Sequence, residues 1–153
     1  MGDTYIAAAA LHAARIQTSK APAWIAAFEA TRNPDGTYGK NISDTASAVV
    51  TTLRLGGQVK HRDRVVEILR SAQRDDGGFS ATGQQSDLRT SYPVMRAFYM
   101  LREKPALARC REFISKCRNA DGGYGATPGQ PSTVSTTYLA CIIMHWMDEL
   151  GGE

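Results

Sequence analysis

The sequence predicts an all-α fold of helical hairpin repeats, an α/α solenoid or an arc of an α/α toroid, with about seven helices, four inner and three outer, alternating. Three observations predict it. One short turn occurs three times, as Asp35-Gly36-Thr37-Tyr38, Asp76-Gly77-Gly78-Phe79 and Asp121-Gly122-Gly123-Tyr124. From Asp35 to Asp76 is 41 residues and from Asp76 to Asp121 is 45, the period of a two-helix repeat. When the turns are aligned on their aspartates, the residues 11, 7 and 4 positions ahead are Trp24, Phe28 and Thr31, then Val65, Leu69 and Ala72, then Cys110, Ile114 and Cys117. Spacings of four and three put each set on one stripe of a helix. Finally, the last two segments that follow the turns are apolar nearly all the way round, which marks helices buried on every side.

Taken in order, the elements justify themselves. The Ala-rich stretch 5–17 opens the chain as an inner helix, because Thr4-Tyr5 stands where Ser91-Tyr92 and Thr137-Tyr138 stand in later repeats. The outer helices cover about 22–31, 62–72 and 105–117, and Pro22 and Pro105 sit where a helix start tolerates proline. Each outer helix ends at a corner with Arg32, Gln73 or Arg118 three residues ahead of its aspartate. There the aspartate bonds local backbone, glycine takes positive φ, and the aromatic ring drops onto a neighbouring helix. The remaining inner helices follow at about 44–55, 87–101 and 133–147. The last of them, with Ile142, Ile143, Trp146 and Met147, has no following outer helix to cover it, and a second copy of the chain is the simplest cover.

The bulk numbers fit one domain over residues 1–153. With 42% hydrophobic and 22% charged residues the chain is an ordinary globular sequence. Eighteen Lys and Arg against 15 Asp and Glu, with no basic run, argue against a nucleic-acid partner. No apolar stretch approaches the roughly 20 residues of a membrane span. The first residues carry Asp3 where a signal peptide wants a base, and three cysteines without CxxC spacing fit a reducing compartment; a cytoplasmic location is expected.

The corner Gln73-Arg74-Asp75-Asp76-Gly77-Gly78-Phe79 resembles the QxxDGGF motif of the squalene cyclase and protein prenyltransferase β-subunit superfamily. The flanks agree with it. The segment Asn41-Ile42-Ser43-Asp44-Thr45-Ala46 is similar to the DxDDTA segment of class II terpene cyclases, and Asp87-Leu88-Arg89-Thr90-Ser91-Tyr92 to the DxRxxY helix start of farnesyl- and geranylgeranyltransferase β-subunits. The resemblance covers essentially the whole chain. It implies a toroid of about six inner and six outer helices with ligand chemistry near the inner-helix starts, of which this chain supplies about half a ring. A ring of that symmetry contains a twofold axis, so a homodimer of two such arcs would close one cavity.

The same resemblance directs attention to particular side chains. Class II cyclases protonate an alkene with the middle acid of DxDD, but the matching residues here are Asn41, Ile42, Ser43 and Asp44, with serine at the proton donor. Asp44 is read first as a helix N-cap and only weakly as catalytic, and Asp87 is the other weak catalytic candidate. The zinc site of the prenyltransferases needs an Asp-x-Cys pair at an inner-helix start; the matching pairs are Arg89 with Ser91 and Ser135 with Thr137, so no metal is expected. Cys141 and His145 lie four apart on one helix but are too few to hold one. Arg89, at the start of a buried helix, binds a diphosphate or carboxylate on the family analogy, or pairs with Asp87 or a neighbouring repeat as a structural residue. Tyr92 and Tyr138, in one column, line the cavity or pack. His12, in the Ala-rich inner helix, is a further candidate facing the cavity, and as a lone histidine is ordinarily a hydrogen-bonded structural residue. The loop 126–132 contains no phosphate-cradling motif, and no cofactor is expected.

The expectation is a small protein similar to prenyltransferases and terpene cyclases that binds an isoprenoid or another hydrophobic small molecule in a central cavity, with transformation of that ligand left open. The alternative is a non-catalytic binding or sequestering protein, or an interaction scaffold, that has lost the acid and zinc sites.

Overall fold

The computed structural model describes residues 2–152, and they form seven helices: α1 Gly2–Ala13, α2 Ala21–Glu29, α3 Ile42–Arg54, α4 Arg62–Ser71, α5 Leu88–Leu101, α6 Leu107–Lys116 and α7 Val134–Gly151. No strand occurs among the described residues; two isolated antiparallel bridges join Arg32 to Tyr38 and Arg118 to Tyr124. Helices α1, α3, α5 and α7 pack side by side in chain order as the inner layer, and the shorter α2, α4 and α6 alternate with them as the outer one. The core lies between the layers, where Val49, Val50, Val65, Leu69, Val94, Phe98, Cys110, Ile114, Ile143 and Met147 are removed from solvent.

The three corners are built alike. Oδ1 of Asp35, Asp76 and Asp121 accepts the backbone amide two residues on, from Thr37, Gly78 and Gly123 at 2.9, 3.0 and 2.9 Å. The glycine between stands at φ +95, +92 and +84, a region that costs a side chain dearly. Tyr38, Phe79 and Tyr124 are buried, as a corner pinned by its ring requires. Their amides donate to Thr45 Oγ1, Ser91 Oγ and Thr137 Oγ1 at 3.0, 3.2 and 3.0 Å, all in the second turn of the next inner helix. Corner and inner-helix start are therefore one bonded unit, which places every inner-helix N-terminus by the corner before it.

The caps refine the expected boundaries. Asn41, Asp87 and Thr133 are the N-caps of α3, α5 and α7, each extended and each accepting the amide three residues on, from Asp44, Thr90 and Thr136. The cap of α3 is thus Asn41 rather than Asp44, because Asn41 alone combines extended backbone with an oxygen aimed at the free amides. Helix α6 begins at Leu107, after Pro105, and α7 runs on to Gly151, beyond the expected 147.

Ties between repeats hold the outer wall. Gln73 donates to Ala106 O at 3.1 Å and accepts from Ala106 N at 2.9 Å, joining the second corner to the start of α6. Glu103 receives Arg62 at 2.9 Å and Arg70 at 2.6 Å, both from α4.

Candidate functional site

Helix α5 has α3 and α7 on its flanks and the outer layer behind it, so its half-exposed stripe faces the inside of the arc. Arg89, Tyr92, Arg96 and Tyr99, spaced three, four and three apart, make up that stripe. Helix α7 meets it with Tyr138 and Trp146. The Tyr92 ring lies 6.4 Å from Tyr138 and 5.2 Å from Trp146, and Tyr99 stacks on Trp146 at 5.7 Å and 20°. Arg96 lies 5.4 Å over Trp146 and donates through Nη1 to the Tyr92 hydroxyl at 2.8 Å. Burial raises the Tyr92 pKa, and the Arg96 cation opposes the rise. Beyond Trp146 the Tyr99 hydroxyl donates to Glu149 at 2.8 Å, and that carboxylate also meets His145 at 3.1 Å.

On the other flank stands Arg54, the last residue of α3 and only 9% exposed. Its guanidinium lies 4.9 Å over the Tyr5 ring of α1, while Nε and Nη1 have no hydrogen-bond partner. Burial, then the nearby Arg96 cation, holds its pKa below the usual arginine value. Arg54 also borders a cleft of about 630 Å³ with Leu11, His12, Arg15, Ile16 and Leu53 between the C-terminal ends of α1 and α3. Apolar walls and two arginines, Arg15 and Arg54, give this end of the arc a positive character.

The sequence-predicted residues fall into two groups. Tyr92 and Tyr138 meet on the inner face, Arg89 is exposed on the same stripe, and His12 lines the cleft beside Arg54. The two aspartates belong to helix starts. Asp44 Oδ2 accepts the Lys40 amide at 2.8 Å, and Asp87 accepts the Thr90 amide and hydroxyl, each at 2.8 Å. Among the described residues Arg89 forms no ion pair with Asp87. Cys141 and His145 are exposed on α7, and no group of three or more metal-ligating side chains occurs among the described residues. No helix among those residues is long and apolar enough to cross a membrane.

Sequence reasoning missed Arg54, Arg96, Tyr99 and Trp146 as site residues. The three-four-three spacing of Arg89, Tyr92, Arg96 and Tyr99 was the available signal for two of them.

Comparison with known proteins places this geometry in a family context. Residues 4–152 match the model of the prenyltransferase alpha-alpha toroid domain. Over 83 residues, 52% of this chain and 22% of the relative, the sequence is 32% identical to the geranylgeranyl transferase type-1 subunit beta of Arabidopsis thaliana. The structure of Candida albicans protein geranylgeranyltransferase-I complexed with GGPP superposes with a TM-score of 0.80 at 17% identity, covering 95% of this chain and 48% of that one. The chain thus spans about half of that structure and less than a quarter of the curated relative.

Proposed function

We propose, from the premise that the chain belongs to the prenyltransferase alpha-alpha toroid family, that it binds an isoprenoid or comparably apolar small molecule along the inner faces of α5 and α7. The observation that carries this reading is the run of Tyr138, Tyr92 and Tyr99 on the accessible inner face, backed by the buried Trp146 ring. Aromatic faces bury large apolar area while their polar tips stay bonded, which suits a long hydrocarbon. The Candida relative, solved with GGPP, supports an isoprenoid as the ligand class. Holding the ligand is favoured over transforming it, because, of the candidate acids, Asp87 engages both oxygens at its helix start and Asp44 engages Oδ2. A cytoplasmic setting is part of the reading, supported by free thiols at Cys110, Cys117 and Cys141.

A second copy closing the ring belongs to the same reading. It is supported by exposed apolar residues on both end helices, Ile6 at 67% on α1 and Val134 at 91% and Tyr138 at 56% on α7.

Farnesol, a neutral isoprenoid alcohol, tests the binding. A saturable rise in melting temperature is expected, since a ligand at 100 times its Kd stabilises by about 2.7 kcal/mol. Tyr92→Ala and Trp146→Ala weaken the rise, and mass spectrometry recovers farnesol unchanged. No shift at saturating farnesol would sink the reading, and a converted product would replace holding with catalysis.

A further inference from the structure

We propose that Arg54 and Arg96 form an oxyanion site, holding the carboxylate or phosphate end of an amphipathic ligand; only its apolar part rests on the function proposed above. The orphaned donors lead to it. Arg54 is nine-tenths buried, yet Nε and Nη1 find no acceptor, and its guanidinium lies over the Tyr5 ring. Buried polar groups are nearly always bonded, and buried charges nearly always paired, so an unmet guanidinium asks for a partner the chain does not supply.

The charge balance fixes the sign of that partner. Arg96, on the neighbouring helix, is occupied by the Tyr92 hydroxyl and the Trp146 ring, neither of which carries negative charge. Among the described residues no carboxylate forms an ion pair with either arginine. Two like charges side by side repel, and an oxyanion between them removes both the repulsion and the unmet donors. The cleft that Arg54 borders, with Arg15 on its wall, lies next to this site. Arg96 also stands on the aromatic run, so an anion held here leaves an attached hydrocarbon beside Trp146 and Tyr99.

Three probes with the same twelve-carbon tail test the site by calorimetry at fixed ionic strength, dodecanoate and dodecyl phosphate below their critical micelle concentrations and dodecanol below its solubility limit. Inorganic phosphate is the fourth. At least one of the two anionic tails should bind more than 10-fold tighter than dodecanol, and which one does so separates carboxylate from phosphate. Arg54→Met and Arg96→Met should each reduce that preference by roughly 10- to 100-fold, the loss expected for a hydrogen bond to a charged group. Ligand-free Arg54→Met should melt higher than the parent, because it removes an unpaired buried charge; a merely structural arginine would give the opposite.

Equal binding of all three tails to the parent overturns the oxyanion site and leaves the apolar reading standing. Arginine-dependent binding of inorganic phosphate without binding of any tail supports the site and removes the apolar reading. Should Arg54→Met fail to fold, the half-buried Arg96→Gln decides: an undiminished preference for the anion overturns the proposal.

Discussion

Cys110 and Cys117 are buried between the layers, whereas Cys141 lies exposed on α7. Burial pushes the Cys110 thiol up to about 12, and burial with help from Asp76 and Asp87 pushes Cys117 up to about 11. Iodoacetamide at pH 8 should therefore modify one thiol of the native protein and all three after denaturation, as counted by intact mass. A raised pKa also means that the folded state prefers the neutral thiol. That preference is fully present below the ordinary value of 9.0 and is lost as pH rises toward about 12. The melting temperature of the parent should consequently fall, relative to Cys110→Ala, as pH is raised from 9 to 11. At this scale the sequence was partly legible. Burial of Cys110 and Cys117 followed from their columns, but three polar residues crowd the start of α3 and only backbone geometry selects Asn41 as its cap. Arg54 was opaque for a similar reason, since its burial depends on Tyr5, a residue 49 positions away in another repeat.

Between the residue and the whole, the corner is the unit that repeats, and its variants explain each other. Asp76 and Asp121 each accept a serine hydroxyl from the following loop, Ser86 at 2.7 Å and Ser132 at 3.0 Å. Those serines crowd the second glycine: a Cβ on Gly78 would stand 2.6 Å from Ser86 Cβ and 2.8 Å from the Phe113 ring. In the first corner the loop to the cap is shorter, and Thr37 occupies the second glycine's place, donating its own hydroxyl to Asp35 at 2.7 Å. Gly78→Ala should then destabilise by about 1–3 kcal/mol, the ordinary cost of overpacking, measured by urea unfolding. A change within error would refute the crowding account. The corners were the most legible part of the sequence, because Asp, Gly and an aromatic ring at fixed offsets have a local physical reason. The start of α6 was less so: Pro105 is compatible with a helix start, yet the chain enters the helix only after Gln73 has bonded both backbone groups of Ala106.

Across the whole molecule the chain corresponds to about half of the Candida structure, with inner helices at both ends of the arc. If two copies close one ring, sedimentation should report a dimer whose population falls on dilution, and Val134→Asp should shift it to monomer without lowering helix content. A parent that stays monomeric at high concentration would rule the closure out. Fold class and layer order were legible from repeat spacing, whereas the inner-face site was not, because it is assembled from α1, α3, α5 and α7 together. The contacts of Trp146 with Tyr92 and Tyr99 give this assembly its own optical signal. Of the two tryptophans in the chain, Trp146 lies on the inner layer and Trp24 on α2 of the outer one. Intrinsic fluorescence can thus be divided by layer. In Trp24→Phe protein, tryptophan emission comes from Trp146 alone, buried against the inner-face tyrosines, and a change in their packing registers in it in real time without any added dye.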